Sequence, residues 1–373
     1  MSSRTDGFTI GVEEEYLIVD PITRAFRTDA LPLLERARHT LGEQVQPEAQ
    51  LSQLEIATSV CATLTDVRRE LLHLRREVLA AASEVGVHIA AAATHPFSHW
   101  KADKTTPKER YQALLRDYQQ LTREQGIQGC HIHVGLQDRE IGVQVMNHVR
   151  PWLAVLLALS ANSPFWLSEE TGYASYRTEI WSRWPLSGPP QAFDSLAQYH
   201  AVVQSLIATK SIDDATKIYW DVRLSERFKT IEFRVSDVCM TVGEAVMLAG
   251  LTRALVRTCW KHVIGQVPVP SVRQELLRTS HWRAARYGLE EELIDTLAEE
   301  AVPARELIGR LLSFVRPALE EEGDWSVVCA QVEQVLQHGN GATRQRQVYQ
   351  RTGHLEEVVD YIVAQTAQGV ALS

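Results

Sequence analysis

Three consecutive carboxylates, Glu13, Glu14 and Glu15, sit inside an otherwise apolar stretch, Gly11-Val12-Glu13-Glu14-Glu15-Tyr16-Leu17-Ile18-Val19. The flanks read as a buried β-strand. Burying an unpaired charge in such a strand carries a heavy desolvation cost. Side chains alternate along a strand, so Glu13 and Glu15 share one face and Glu14 projects to the other, beside Val12 and Tyr16. Like charges on one face repel unless a cation lies between them. A hard divalent ion, Mg²⁺ or Mn²⁺, resolves the conflict. A solvated edge strand with an acidic face avoids it. Both readings stay open on this stretch alone, and position 14 is expected to matter least to any site.

The same i, i+2 offset recurs along the chain. Gln53 and Glu55, His131 and His133, Asp221 and Arg223, and Glu232 and Arg234 each occupy alternate positions of a candidate strand. One such pair is commonly a solvated face. Its repetition in most of the strands is harder to assign to solvent exposure. Gathered on one sheet, the pairs would line a cavity with carboxylates, imidazoles and guanidiniums. Carboxylates take Mg²⁺, and arginines take phosphate oxygens through bidentate hydrogen bonds.

Periodicity and turn signals place the other elements. Helices are expected at Leu31 to Leu41, Asp66 to Val85, Pro107 to Glu124, Val143 to Ala161 and Phe193 to Ile207. Strands are expected at Leu51 to Val60, Val87 to Ala93 and Gly129 to Gly135, with a hairpin from Ile218 to Leu224 and Thr230 to Val235. After Gly243 helical patterns run to the end, at 243–264, 271–287, 290–298, 303–320, 324–337 and 355–366, with a turn at Gly339-Asn340-Gly341. All strands then precede residue 240. The expected architecture is α+β: an antiparallel sheet covered by helices, with a helical C-terminal third. A chain of 373 residues holds two ordinary domains or one large one. With no linker or repeat, a single domain over 1–373 is expected, 1–240 carrying the site and 241–373 packed on it. Asn162 to Pro190 is long and irregular, and reads as a lid or as a packed Ω-loop.

The formal net charge of −9 argues against bulk nucleic-acid binding and against an anionic membrane surface. The most apolar run, Trp152 to Leu159, is too short to span a bilayer. The opening Met1-Ser2-Ser3-Arg4-Thr5-Asp6-Gly7 is polar and precedes no signal-peptide core. Cys61, Cys130, Cys239, Cys259 and Cys329 are scattered and form no C-x-x-C pair, so a reducing, cytoplasmic setting is expected. Cys130 and Cys239 are read as packing residues. There is no G-x-x-x-x-G-K-[ST] loop, no strand followed by G-x-G-x-x-G, no H-E-x-x-H and no G-x-S-x-G. A nucleotide would have to be held by metal ions and scattered side chains. His95 reads as a turn cap or a site residue. Arg253 and Arg257 are expected in solvent. Trp282, Arg283 and Arg286 dock the C-terminal helices or close over a nucleotide.

Several blocks, taken in order, carry a resemblance. They are Gly11-Val-Glu-Glu-Glu, Ser52-Gln-Leu-Glu-Ile-Ala-Thr-Ser, Thr94-His-Pro-Phe and Gly129-Cys-His-Ile-His-Val-Gly. Ser160-Ala-Asn-Ser-Pro-Phe-Trp, Thr171-Gly-Tyr-Ala-Ser-Tyr-Arg, Trp220-Asp-Val-Arg, Thr230-Ile-Glu-Phe-Arg-Val-Ser-Asp and Trp282-Arg-Ala-Ala-Arg-Tyr-Gly follow. From about residue 8 to 290 the chain resembles the glutamate–cysteine ligase type 2 family, also described as carboxylate–amine ligases. The resemblance implies a glutamine-synthetase-like catalytic fold whose curled antiparallel sheet receives ATP and Mg²⁺. It implies ATP-dependent joining of a carboxylate to an amine, typically glutamate to cysteine, through an acyl phosphate.

By motif position, the resemblance implies metal binding by Glu13, Glu15, Glu55, His131 and Glu232, and catalytic roles for Glu232, Arg234 and Arg177. Arg223, Arg234 and His133 are the candidates for holding the nucleotide. Relatives can carry an acidic residue a few positions before the Glu55 equivalent. Here the stretch reads Gln50-Leu51-Ser52-Gln53, with Glu48 the nearest carboxylate, so the ligand set of one metal stays open. The implied partners are glutamate and cysteine or analogues, with no nucleic acid and no membrane, and the helical third could supply a homodimer interface. Two alternatives remain. One is a metal-dependent hydrolase using the same Glu and His residues; the other is a catalytically weak nucleotide- or amino-acid-binding protein that kept the site.

Overall fold

β1 (Ile10–Val19) lies inside the sheet, with an antiparallel neighbour on each side. The structure is a computed structural model and describes residues 7–370. Residues 1–6, which carry most of the polar opening segment judged to hold no signal peptide, lie outside the described residues. After β1 come α1 (Leu31–Leu41), β2 (Val45–Pro47), β3 (Gln53–Ala57), α2 (Leu64–Glu84) and β4 (His88–Ala90). α3 (Glu109–Tyr118), α4 (Gln120–Arg123), β5 (Gly129–Gly135), α5 (Arg139–Val149) and α6 (Leu153–Ser160) follow. A small hairpin, β6 (Phe165–Trp166) and β7 (Glu169–Glu170), leads to α7 (Tyr176–Trp181) and α8 (Leu196–Ala208). β8 (Val222–Leu224) and β9 (Thr230–Asp237) complete the main sheet.

The strands align as β2-β3-β1-β5-β9-β8, with β4 also paired to β1. Register sets Glu15 opposite Glu55, Glu13 opposite His131, His133 opposite Glu232, and Glu232 opposite Arg223. Neighbouring strands thus carry their polar residues in adjoining rows on one face. Val12, Ile132, Ile231 and Phe233 are buried on the opposite face, in a core shared with α2, α5 and α9 (Val242–Ile264). α9 is buried along most of its length, as its nearly continuous apolar run requires.

The remaining elements are α10 (Gln274–Tyr287), β10 (Glu292–Asp295), β11 (Glu300–Pro303), α11 (Ala304–Glu322), α12 (Trp325–His338), α13 (Gly341–Thr352) and α14 (Leu355–Thr366). Val358, Val359 and Ile362 of α14 pack with Leu17, Val19 and Ala90 of the sheet.

Some expectations need correction. The helix expected at 290–298 is the β10–β11 hairpin, so strands do occur after residue 240. Leu293 and Val302 are both buried and stand opposite each other. Asp295 accepts from the backbone of Leu297 and Ala298, which turns the chain. The helix expected over 107–124 breaks at Gln119, whose φ is +48°. The one expected over 143–161 divides at Arg150-Pro151-Trp152, because proline cannot donate within a helix. Arg253 and Arg257 are held in ion pairs rather than free in solvent. Arg253 is buried, pairs with Asp324 and donates to Ala62 O, while Arg257 pairs with Glu321 and Glu322. Both tie α9 to the chain around the α11–α12 junction. His95 is a turn cap, its Nδ1 accepting from the backbone of Phe97 and Ser98. Trp282, Arg283 and Arg286 act in docking. They donate to Tyr173 Oη, Glu292 O and Gly172 O respectively.

Glu14 is fully buried, and its charge is met by an equally buried Arg75 from α2. Arg75 donates to both carboxylate oxygens, at 3.0 and 2.6 Å. Its other N–H groups reach the carbonyls of Cys239, Met240 and Thr366 at 2.9, 3.0 and 3.3 Å. The Tyr16 hydroxyl adds a 2.5 Å bond to Glu14 Oε2. Position 14 therefore carries a structural charge pair beneath the site rather than an indifferent side chain. Removing one partner of a buried ion pair costs about 3–5 kcal/mol, whereas replacing both with apolar groups is often neutral. Arg75→Met should lower the unfolding free energy by that order in urea titrations, and Glu14→Leu with Arg75→Met should recover much of the loss. A double variant no more stable than Arg75→Met would transfer the effect to the three carbonyl bonds.

Candidate active site

A cavity of about 420 Å³ opens over the polar face of the sheet. Glu13, Glu15, Glu55, His131, His133, Arg177, Arg223, Glu232 and Arg234 all line it. Strand alternation delivers most of these side chains, and an extra residue in β9, where Arg234 and Val235 lie opposite His131 alone, bulges that strand beside the site. Asp221 is the exception among the polar pairs. β8 begins only at Val222, and the Asp221 carboxylate turns to His281 of α10, Oδ2 lying 3.3 Å from Nε2.

Glu232 is gripped on both oxygens. Arg223 donates to Oε2 at 2.8 Å and to Oε1 at 3.0 Å, and Arg234 donates to Oε1 at 2.5 Å. Burial acts to raise its carboxyl, but Arg234 and Arg223 outweigh that and hold it far below the usual range. The Arg234 guanidinium lies over the Trp181 ring, 5.8 Å from its centroid. Arg177 donates to the carbonyls of Arg234 and Val235 at 3.1 and 3.4 Å.

Two triads offer ligand atoms within 4.8 Å of one another: Glu13, His131 and Glu232, and Glu15, Glu55 and His131. Oxygen donors with a single imidazole suit Mg²⁺ or Mn²⁺. The electrostatics suit a cation as well. Burial, and then the charge of Glu48, push Glu15 up to about 8. Burial, followed by Glu13, Glu48 and Glu15, lifts Glu55 well above the usual range. Burial lowers His131 to about 4, with Arg234 assisting, so the ring is neutral and able to ligate. Burial also acts to raise Glu13, yet His131 and His133 hold it well below the ordinary value. His131 Nδ1 lies 3.1 Å from Glu13 Oε2, and His133 Nε2 lies 3.3 Å from Glu13 Oε1.

Glu48 belongs to this acidic group, although no strand pattern marks it. It follows the short strand β2, and the β2–β3 turn returns it to the cavity that Glu55 lines. Tyr111 of α3 donates to Glu48 Oε2 at 3.3 Å and to Pro47 O at 3.1 Å. Trp181, Trp184 and Tyr219 form an aromatic side of the cavity, and Phe228 stands exposed at the β8–β9 turn. These came from outside the alternating pairs, and only the aromatic richness of the 162–190 stretch signalled two of them. That stretch is a packed wall and not a loose cover: Phe165, Ala174, Ile180 and Trp184 are buried.

Residues 9–363 match the sequence profile of the family described as "Glutamate-cysteine ligase family 2". The chain belongs to that family. As a glutamate–cysteine ligase family 2 member it is a carboxylate–amine ligase by descent. It is 42% identical over 370 residues to a Rhodopirellula baltica protein named "Putative glutamate--cysteine ligase 2", covering 98% of each chain. In three dimensions it resembles a Francisella tularensis glutamate–cysteine ligase determined in complex with AMP. The TM-score is 0.74 at 12% identity, covering 98% of this chain and 90% of that one. It also resembles a bifunctional glutathione synthetase from Pasteurella multocida, with a TM-score of 0.71 at 18% identity, covering 98% of this chain and 53% of that one. The family 2 chain thus has the glutamine-synthetase-like ligase fold. Among its described residues, no helix is long and apolar enough to cross a membrane.

The raised Glu15 carboxyl makes a signed prediction for the metal-free protein. In the fold the Glu15 carboxyl is pushed up to about 8, whereas the unfolded chain releases that proton near the ordinary carboxylate value of 4.5. The folded state then binds more protons between those values, and stability falls as pH rises through that window. Below about pH 6.5 the lowered His131 and His95 act in the opposite sense, because the unfolded chain binds their protons more readily. Thermal melts in a chelator should therefore show Tm decreasing from about pH 6.5 to about pH 8, and Mg²⁺ or Mn²⁺ should flatten the decline. Glu15→Gln, which cannot ionise, should remove part of the slope. A Tm that climbs across the window would contradict this charge arrangement.

Proposed function

We propose that the chain is an ATP- and Mg²⁺-dependent glutamate–cysteine-type ligase that forms an amide through an acyl phosphate. The observation that carries the reading is one cavity in which crowded carboxylates face the guanidiniums of Arg177, Arg223 and Arg234. Glu13, Glu15, Glu55, His131 and Glu232, with Glu48 added, would hold the metal. Mg²⁺ bound there would offset the charge of the nucleotide's phosphates. A cation at Glu232 would share oxygens that Arg223 and Arg234 already use.

On this reading the γ-phosphoryl passes to a substrate carboxylate oxygen and ADP departs. The amine then attacks the acyl carbon and gives up a proton, the acyl C–O bond breaks, and phosphate departs carrying that oxygen and the bonding pair. Arg234 meets the charge that develops on the moving phosphoryl group, Arg223 and His133 hold the nucleotide, and Arg177 contacts substrate or phosphate. Glutamate and cysteine, or close analogues, are the substrates, and the setting is the reducing cytoplasm. The five cysteines are free, which accords with such a setting.

An ADP-release screen over amino-acid pairs with Mg²⁺ tests the reading. Release that needs both an acid and an amine supports it. Release with neither indicates an idle ATPase, and failure to bind nucleotide favours a hydrolase. Arg234→Lys keeps the charge but loses the planar fork. It should lower kcat by roughly 10²-fold with little change in the KM for ATP, as for loss of a partner used in the transition state. A normal kcat with a raised KM would reduce Arg234 to a nucleotide anchor.

A further inference from the structure

Asp237, the last residue of β9, is fully buried and outside the cavity lining. It gathers donors from two separate points of the wall. Asn162 N and Ser163 Oγ donate to its Oδ2 at 2.8 and 2.7 Å, and Ser175 Oγ donates to its Oδ1 at 2.8 Å. Arg177 Nη1 lies 3.8 Å from the same Oδ1. One carboxylate therefore fastens both ends of the loop between Ser163 and Ser175, and the chain leaving that loop carries Arg177. Ser163 repeats the link, because its Oγ accepts from Arg177 N at 3.1 Å.

The Arg177 guanidinium has few other holds. It donates to the carbonyls of Arg234 and Val235, and its Nε is buried without a partner. It also packs on bare backbone. A Cβ at Gly129 would lie 2.6 Å from Arg177 Nη2, so glycine is needed there for the guanidinium to lie where it does. Gly129 stands opposite Asp237 in the β5–β9 register and donates its N–H to Glu15 Oε2 at 2.6 Å. The loop anchor, the guanidinium and a cavity carboxylate thus meet at one end of one strand pair. Burial pushes the Asp237 carboxyl above its usual range, and Arg177, then the bonds from Asn162, Ser163 and Ser175, oppose the rise.

We propose that Asp237 is a positioning residue: it acts through Arg177 and the Ser163–Ser175 loop, setting the guanidinium against the cavity that Arg177 lines. The inference rests on the ligase reading given above, in which Arg177 contacts substrate or phosphate. Asp237→Asn keeps the size, while removing the charge and turning one oxygen into a donor that faces donors. Misplacement of a positioning group by about 1 Å costs on the order of 10²-fold in rate. Asp237→Asn should therefore lower kcat/KM by roughly 10- to 100-fold.

The decisive measurement is a double-mutant cycle with Arg177→Ala. In the Arg177→Ala background, Asp237→Asn should lower Tm as before but add little to the kinetic loss. Additive kinetic losses would overturn the proposal and leave Asp237 a stabilising residue only. A crystal structure of Asp237→Asn supplies a readout independent of turnover. The guanidinium should leave the Arg234 and Val235 carbonyls; if it stays in place, the proposal fails. Should the wild-type protein show no acid- and amine-dependent ADP release, the ligase reading falls, while the Arg177 displacement still decides whether Asp237 positions it. If Asp237→Asn does not fold, Ser163→Ala and Ser175→Ala take its place, with smaller losses that must again vanish without Arg177.

Discussion

Repulsion among Glu13, Glu15, Glu48 and Glu55 is the constraint on which the rest of the cavity depends. Carboxylates this close cannot all ionise in a buried site without positive charge beside them. The metal-free chain meets the cost in part by proton uptake, with Glu15 pushed up to about 8 and Glu55 raised as well. Arg234 is drawn in by the same field, since Glu232, Glu15 and Glu13 all favour its charged form against the effect of burial. The crowding is energetically useful only if the backbone cannot relax it. β1 is held by ladders on both sides, so its carboxylates cannot move apart without breaking strand pairs.

That rigidity is built from the opposite face. Val12, Ile132, Ile231 and Phe233 share a core with α2, α5 and α9, so the polar rows have an apolar backing. Beneath the acidic face, the Glu14–Arg75 pair joins β1 to α2, to the β9–α9 connection and to the end of α14. A buried ion pair is weak evidence for net stability, because the desolvation of both charges offsets their attraction, but this one ties several segments to a single point. The same description fits the Asp237 cluster at the end of β9. The C-terminal third therefore takes part in holding the site: Thr366 O accepts from Arg75, and Gln345 donates to Asn162 next to the Asp237 cluster.

Much of the site was legible because strand alternation is local. Glu13 with Glu15, Gln53 with Glu55, His131 with His133, and Glu232 with Arg234 share a face wherever their strands are regular. The ordered motif blocks added the family, and with it the fold. Legibility ended where regularity ended. Asp221 lies one residue before β8 and turns away to His281. Glu48 sits in a turn, where no period predicts direction, and reaches the cavity through the β2–β3 connection. In residues 290–298 Leu293, Ile294 and Leu297 suit one turn of helix or a short strand equally, and the pairing of Leu293 with Val302 decides for strand.

The sequence by itself determined which residue types alternate, which faces are polar and which family the motif order belongs to. These follow from covalent periodicity and short-range pattern. Tertiary structure alone decided which charge meets which. Arg75 lies on a helix far along the chain from Glu14, and nothing near either residue announces the other. Arg253 finds Asp324 in the same way, across 71 residues. Partner choice depends on how helices are seated against the sheet, and that seating minimises exposed apolar surface over the whole molecule at once. A side chain's face is a local property; its electrostatic partner is a property of the packed chain.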